Sequence, residues 1–480
     1  MASIEETAAP SIETARGDIQ GNILRAYGFP YARYEILRIV DAAGARRLLR
    51  RVLERGLITT ANTWDPASKP DATLNVFVSW PGLVALGVSQ ASLDSFPEEF
   101  RQGMPARASI LGDTGPNAPS TWEFGNDPDS THVFFALYGR TAEAREQLLV
   151  SLRAELAAVG AAVEVTHQLD AQMLGNHREH FGYADGIGQP AIEGSGNEEY
   201  AGDGTPIGAA GGGAAGSGGA WAPLKAGEFV LGWPGETGFP APAPTPDVLA
   251  KNGSFLVYRK LRQDVAAFRA FLREQSERLW GSDAGALGIE RLASKLVGRW
   301  RSGCPVMHAP LVDNPAIATD WARNNDFRYA SDPRGEVCPF GSHIRRMNPR
   351  DGLSDHGDTL VRTHRIVRRG LPYGPWLDDN AATDDGQERG VAFMAINASI
   401  KYQFEFLQSQ WLHNGEFAGL ARGDVDPFAG EPRDGSRFRI PSANSGPKNL
   451  FDLPRFITLR GGGYFFIPSV TALHYIAGQD

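Results

Sequence analysis

Three short segments of this 480-residue chain carry side chains that could act together in catalysis. Residues 181–190 place Asp185 in a turn with three glycines, and residues 338–350 place His343 ahead of several arginines. Residues 362–374 contain four arginines before a Pro-Tyr-Gly turn. A carboxylate transfers protons, an imidazole ligates metal ions, and a guanidinium stabilises developing negative charge. The segments therefore predict one site that combines these three functions.

The neighbours of His343 separate it from the other nine histidines. A Gly-Ser pair precedes it and can start a short helix, and three arginines follow it, at positions Arg345, Arg346 and Arg350. A neutral imidazole can ligate the iron of a haem, whose two propionates would pair with guanidinium groups. Cys338 in the same segment is the alternative axial ligand.

Simpler interpretations exist for several of these residues. His177 and His180 have the i, i+3 spacing of a zinc pair, but no third ligand is obvious nearby. His308 and His364 suit ordinary structural roles. An aspartate such as Asp185 can simply cap the backbone amides of its turn. Arginines at strand ends are usually exposed or ion-paired.

Composition limits the class of protein. The chain is 42% hydrophobic and 21% charged, which is typical of soluble globular proteins. Its formal charge of −9 argues against nucleic acid as the main partner, and no apolar run reaches the length of a membrane span. Two cysteines, Cys304 and Cys338, are too few for a disulfide framework. Because no signal peptide is visible, we expect a cytoplasmic protein. Nothing indicates an oligomeric state.

Hydrophobic periodicity predicts the same β-α-β-β-α-β order twice. In the first half the predicted strands are 31–40, 73–80, 131–138 and 162–170, and the helices are 43–55 and 141–159. In the second half the strands are 254–260, 361–368, 391–397 and 463–468, and the helices are 262–280 and 400–412. The stretch 81–130 looks irregular. The fold class is therefore α+β, with two tandem ferredoxin-like domains and antiparallel sheets.

A boundary near residue 220 divides the chain into domains 1–220, with Asp185, and 221–480, with His343 and Arg368. The glycine- and alanine-rich tract 207–219 lies just before it and is typical of a linker or loop. A phosphate-binding role for its glycines is disfavoured, because no strand precedes them and no Lys-Ser/Thr follows.

The three segments together resemble those of the dye-decolourising peroxidase family. Its Gly-x-x-Asp-Gly signature matches Gly182 to Gly186, its histidine segment matches Cys338 to Arg350, and its arginine matches Arg368. Further matches lie at residues 17–24, 228–233 and 391–397. The resemblance extends from about 17 to 470, and the length of the chain is similar to that of the longer branch of the family.

This resemblance implies one haem b per chain, between the two units or in the C-terminal unit of a dimeric α+β barrel-like fold. It assigns the axial iron ligand to His343 and catalysis to Asp185 and Arg368. The further cofactor contacts that we predict are Arg345, Gly186, Gly188 and Phe393.

The implied reaction reduces hydrogen peroxide and oxidises bulky aromatic donors, dyes and phenolics, in single-electron steps. An aspartate ordinarily has a pKa of about 3.9, so it remains a base in acid, and we expect an acidic optimum. Bulky donors would be oxidised at the surface, with Trp376 and Trp411 as electron-transfer candidates, although tryptophans are mostly core residues. The alternatives are a haem carrier or iron-releasing protein and a haem-free ferredoxin-like binding module.

Overall fold

A computed structural model describes residues 11–65, 67–196, 223–320, 323–381, 383–416, 418, 420, 423–432, 434–442 and 446–478. Eleven strands lie within these ranges: β1 Tyr31–Ile39, β2 Ala72–Val78, β3 Val133–Gly139, β4 Val163–Gln172, β5 Ser254–Gln263, β6 Val367–Arg368, β7 Leu371–Tyr373, β8 Gly390–Asn397, β9 Arg437–Ile440, β10 Lys448–Phe451 and β11 Ile457–Ile467. The tract 207–219 and the predicted domain boundary fall outside the described residues, so the division into two domains stays a prediction.

Nine of the described strands form one antiparallel sheet in the order β4-β1-β3-β2-β11-β5-β8-β6, with β7 also paired to β8. Each half of this order is the ferredoxin-like arrangement, in which the fourth strand lies beside the first and the third beside the second. The halves join where Phe466 of β11 pairs with Val78 of β2. At the far ends β4 lies near β7, but no pairing between described residues closes the sheet into a barrel. The α+β, antiparallel, ferredoxin-like prediction is confirmed.

The two long helices of the first half begin where the sequence supplies a capping side chain. Asp41 accepts a hydrogen bond from the Gly44 amide at the start of helix Ala42–Glu54, and Thr141 caps helix Ala142–Val159. The other helices of the described residues are Ile12–Ala15, Gly21–Leu24, Trp80–Ala85, Gln90–Ser95, Glu98–Ala106, Ala108–Leu111, Asp247–Ala250, Val265–Trp280, Gly285–Val297, Pro315–Ala318, His343–Met347, Gly357–Thr363, Ile400–Glu405, Leu407–Leu412 and Val470–Ile476. Helices were therefore predicted correctly at 43–55, 141–159, 262–280 and 400–412.

Two predictions of secondary structure were wrong. Residues 361–368 form the end of helix Gly357–Thr363 and then the two-residue strand β6. The strand is confined to Val367 and Arg368, because the helix continues to Thr363 and only these two residues pair with β8. The stretch 81–130 is not irregular throughout, because it contains several short helices, and the first two of them are capped by Ser79 and Ser89.

Alternate residues of three strands of the C-terminal half form one wall of a large cavity. They are Arg259, Leu261 and Gln263 of β5, Val391 and Phe393 of β8, and Ile457 and Leu459 of β11. Val297, His343 and Met347, from two helices, contribute to the same cavity. Every second side chain of these strand segments therefore faces the cavity, and residues from two helices line it as well. None of the described helices has both the length and the hydropathy needed to cross a bilayer.

Candidate active site

All three segments reach the cavity, which has a volume of about 870 Å³. Asp185, His343 and Arg368 line it, and so do Gly186 and Gly188. The structure therefore brings together an acid, an imidazole and a guanidinium that are separated by up to 183 residues in the chain. Phe393 lines the cavity as well.

Asp185 and Arg368 contact each other. Arg368 Nη1 donates to Asp185 Oδ1 over 3.3 Å, and its Nη2 donates to the Ile187 carbonyl over 3.0 Å. The Gly186 amide donates to the same carboxylate oxygen over 2.6 Å. The two side chains remain 40% and 38% exposed, so both can reach a small molecule in the cavity. The interpretation of Asp185 as a turn cap is therefore partly correct, but it accounts for only one carboxylate oxygen.

Gln189 fixes the backbone of Arg368. Its Oε1 accepts from the Arg368 amide over 3.0 Å, and its Nε2 donates to the Arg368 carbonyl over 3.1 Å. Gly186 and Gly188 have φ values of 82° and 83°, a left-handed conformation that other residues rarely adopt. The Gly188 carbonyl accepts a hydrogen bond from Arg365 Nη2 over 3.0 Å. The glycines thus shape the turn that holds Asp185 against Arg368.

His343 begins helix His343–Met347, and a buried acid holds its ring. Nδ1 donates to Asp426 at 3.0 Å from Oδ2 and 3.2 Å from Oδ1. Burial by itself would raise the pKa of Asp426, but the charges of His343 and Arg346 outweigh it, and this pKa lies below its ordinary value. A hydrogen bond at Nδ1 leaves Nε2 as the nitrogen for a metal and raises its basicity. Sequence reasoning missed Asp426, which lies 83 residues after the histidine.

Arg345 does not line the cavity, contrary to what a cofactor contact requires. Its Nη1 donates to Asp332 over 2.9 Å and to the Cys338 carbonyl over 2.6 Å, and its guanidinium lies 4.5 Å from the ring of Tyr329. The reason is helical geometry, since residues two apart face different sides, whereas Met347, four residues after His343, lines the cavity. Cys338 is fully buried away from the cavity lining, which disfavours it as the alternative ligand.

Three other arginines line the cavity instead, Arg299, Arg350 and Arg365. Burial, with repulsion between them, lowers the pKa of Arg299 and of Arg365 to about 9. Burial lowers the pKa of Arg350 to about 10. Arg299 and Arg350 both donate to the side-chain oxygen of Asn325. Buried cations in one place indicate a site that anionic groups would stabilise.

The two tryptophan candidates lie in different surroundings. Trp376 is 37% exposed, and its ring centroid lies 6.2 Å from that of His180. Trp411 is only 3% exposed, so it could take part in electron transfer inside the protein but does not itself meet a donor at the surface. Its ring lies 5.4 Å from that of His364, which lines the cavity. His177 also lines the cavity, while the described residues contain no cluster of three metal-binding side chains that would complete a zinc site.

Comparisons with known proteins agree with the sequence resemblance, although no family model matches the chain. A dye-decolorizing peroxidase of Mycena epipterygia is 32% identical over 96% of this chain and 86% of its own length. A multifunctional dye peroxidase of Amycolatopsis is 30% identical over 98% of this chain and 97% of its own. The structure of an ancestral D-type dye-decolorizing peroxidase superposes with a TM-score of 0.81 at 31% identity, covering 97% of this chain and 99% of that one. The chain therefore belongs to the dye-decolorizing peroxidase family and is a peroxidase.

Proposed function

We propose that this chain is a haem b peroxidase that reduces hydrogen peroxide and oxidises dyes and phenolics in single-electron steps. The observation that carries the proposal is the meeting of Asp185, Arg368 and the His343–Asp426 pair at one cavity. Its relatives support the peroxidase chemistry, and one solved relative is a complex with 2,6-dimethoxyphenol.

The residues of the cavity fit a haem. His343 would hold the iron, because Asp426 keeps its Nδ1 protonated and directs the other nitrogen to a metal. Arg299, Arg350 and Arg365 would meet the two propionates, whose charge relieves the repulsion among buried guanidiniums. Arg350 belongs to the arginine cluster for which the sequence predicted this role, whereas Arg299 and Arg365 were not predicted for it. When bound, haem supplies a redox-active iron that accepts electrons one at a time.

During peroxide reduction Asp185 would transfer a proton and Arg368 would stabilise negative charge. The carboxylate of Asp185 takes the proton from one peroxide oxygen and returns it to the other, which leaves as water. Arg368 stabilises the negative charge on the leaving oxygen, and Gln189 holds its backbone in place. One peroxide and two aromatic donors give two waters and two donor radicals, which balances the electrons and protons.

Bulky donors would transfer electrons at the surface. Trp376 is the better candidate, because it is exposed and stacks on His180, whose Nε2 contacts the Tyr373 carbonyl over 2.8 Å. Tyr373 belongs to β7, whose neighbours Leu371 and Pro372 line the cavity. Trp411 remains a candidate only for electron transfer inside the protein, beside His364. Cys304 and Cys338 are free thiols, in accord with the cytoplasmic location that we propose.

Asp185→Asn in the haem-loaded protein tests the proposal. We expect turnover of a dye with hydrogen peroxide to fall by about 100-fold or more, while the visible spectrum of the resting protein is retained. Glu193→Gln, an exposed acid outside the cavity lining, is the matched control and should keep wild-type turnover. Wild-type turnover in Asp185→Asn would reject the acid–base role. A haem spectrum without any peroxide-dependent turnover in the wild type would favour a carrier.

A further inference from the structure

Two consecutive arginines of the chain line different parts of the cavity. Arg368 contacts Asp185, whereas Arg369 donates from Nε to the carbonyl of Asn22 over 2.8 Å. Successive side chains of an extended segment point to opposite faces, and Arg369 directly follows strand β6. Arg369 also lines the cavity, and it is half-buried. Its guanidinium therefore faces a part of the cavity away from the reaction described above.

This part of the cavity, which we call the Arg369 lobe, is mainly aromatic and apolar. Its rings are in contact, since the ring centroid of Tyr27 lies 5.9 Å from that of Phe29 and 5.7 Å from that of Tyr138. Both tyrosine hydroxyls already have protein partners, the side-chain oxygen of Asn75 and the sulfur of Met394. The lobe consists of Ala26, Tyr27, Phe29, Tyr138, Met173 and Arg369, all of which line the cavity. The guanidinium is therefore the group of the lobe that can bind a polar ligand.

The charge of Arg369 is not neutralised by any carboxylate among the described residues. Arg368 pairs with Asp185, whereas Arg369 donates to carbonyl oxygens, that of Asn22 and, at 3.5 Å, that of Arg368. Its Nη2 has no partner in the described part of the chain, and it is not one of the buried polar atoms. Burial lowers the pKa of Arg369 to about 10. An anion that reaches Nη2 would stabilise this cation through a charge-assisted hydrogen bond.

A second cation lies close to the lobe. Arg25 is 4% exposed, and its guanidinium lies 4.0 Å from the ring centroid of Trp64, without an ion pair among the described residues. The Trp64 ring in turn stacks on that of Tyr27, with 6.1 Å between the centroids. The charges of Arg25 and Arg369 both act to lower the pKa of Tyr27, although burial keeps this pKa raised. The lobe is therefore positively charged as well as apolar, which suits a ligand with one negative charge and a flat apolar body.

We propose that the Arg369 lobe binds a small aromatic carboxylate. The carboxylate accepts a hydrogen bond from Nη2 of Arg369, and the ring of the ligand packs against Tyr27 and Phe29. A neutral ring lacks the charge that complements the guanidinium, and inorganic phosphate lacks the apolar surface. Binding involves no electron transfer, so this inference goes beyond the proposed peroxidase function and does not depend on it.

Titration calorimetry on the resting haem-loaded protein is the first test, and it needs no variant. It compares benzoate with benzamide, which has a similar shape but no charge, and with inorganic phosphate. We expect benzoate to bind about tenfold more tightly than either, a difference of about 1.4 kcal/mol. The proposal is overturned if benzoate does not bind, or if it binds no more tightly than benzamide or phosphate.

Substitutions of the two consecutive arginines locate the site. Arg369→Gln should weaken benzoate binding about tenfold, because the charged donor is lost. Arg368→Gln should leave the affinity for benzoate unchanged, and so should Arg460→Gln, which alters a half-buried arginine outside the cavity lining. A loss of binding in Arg368→Gln but not in Arg369→Gln would place benzoate at the reaction site and overturn the proposal.

Ala26→Phe is the second variant, and it keeps both arginines. Ala26 lines the cavity and is partly exposed, so a larger side chain there narrows the lobe without filling the protein core. We expect Ala26→Phe to lose benzoate binding, whatever the stability of Arg369→Gln. Wild-type affinity for benzoate in Ala26→Phe would reject this inference alone. A wild type that binds benzoate but does not oxidise a dye with peroxide would reject the proposed function and support the Arg369 lobe.

Discussion

The two halves of the sheet share a strand order but use their interiors differently. In the first half, two helices cover the strands directly and bury side chains such as Leu48 and Leu149. In the second half, the connection between β5 and β6 spans residues 264–366 and contains His343. There, alternate residues of β5, β8 and β11 face a cavity. The strand order alone therefore does not form a functional site, because residues in the long connections supply the side chains that could act in catalysis.

Removing the histidine of the second half should have the largest effect. We expect His343→Ala to lose haem, since the proposed axial ligand is gone, and with it the haem absorption band and all peroxide-dependent turnover. The control is His132→Gln in the first half, a histidine 6% exposed whose Nδ1 accepts from the Ile39 amide. That variant should retain the haem spectrum. Retention of a normal spectrum by His343→Ala would contradict the assignment.

A core substitution in the first half should separate stability from chemistry. Leu48 is 2% exposed on helix Ala42–Glu54, so Leu48→Ala should lower the free energy of unfolding by about 2–5 kcal/mol. Denaturant titration measures this loss. We expect the haem spectrum and kcat of the folded enzyme to match the wild type. A changed spectrum would show that the packing around Leu48 also affects the cavity.

Two histidines, His167 on a strand of the first half and His180 packed against Tyr373 of the second half, should make the protein less stable in acid. Burial lowers the pKa of His167 on β4 and that of His180 to about 4, against an ordinary 6.5. Because the folded pKa lies below the unfolded one, stability is complete above pH 6.5 and is lost as the pH falls towards 4. Each histidine should cost about 2 kcal/mol between pH 8 and pH 5.

Denaturant midpoints between pH 8 and pH 5 test this comparison of the halves. His167→Gln and His180→Gln should each flatten the dependence of the unfolding free energy on pH by a similar amount. The slope is the measurement, because either variant also changes the stability at every pH. A slope that changes in one variant only would place the acid sensitivity in that half of the protein. Dye turnover, in contrast, is predicted to rise in acid.

Sequence reasoning found the features that are local in the chain. Hydrophobic periodicity predicted most of the strands and the main helices, and the glycines around Asp185 marked its turn. The three segments also converge on one cavity, as predicted. Each of these features can be read within about a dozen residues.

What the sequence could not supply depends on distant contacts. Asp426 looks like any acid in a loop until the fold places it at His343, and the same holds for Arg299 at the cavity. The sequence could not show on which side of its helix Arg345 lies, because neighbouring residues of a helix face different sides and the packing of Arg345 against Asp332 depends on the fold. Arg365 was visible in the sequence, but its burial was not.

The smallest effect that we predict concerns Asp426. It tests how strongly this acid changes the iron-binding properties of His343. Asp426→Asn keeps the shape of the side chain but removes the charge that faces His343. Loss of a partner of this kind typically costs 10–100-fold in metal affinity or activity. We therefore expect haem to remain bound but to dissociate faster. We also expect the reduction potential to shift to a higher value, because a less basic imidazole stabilises the oxidised iron less, while the reduced iron is affected less strongly.

Asn414, whose carbonyl accepts from Arg346 behind the same helix, offers the matched control. Asn414→Ala keeps that carbonyl and the charge of Asp426, so the potential should stay within error of the wild type. Spectroelectrochemistry measures both variants. An unchanged potential in Asp426→Asn would mean that the acid only orients the ring. The second half would then differ from the first by the cavity that its connections enclose, and not by a charge directed at the iron.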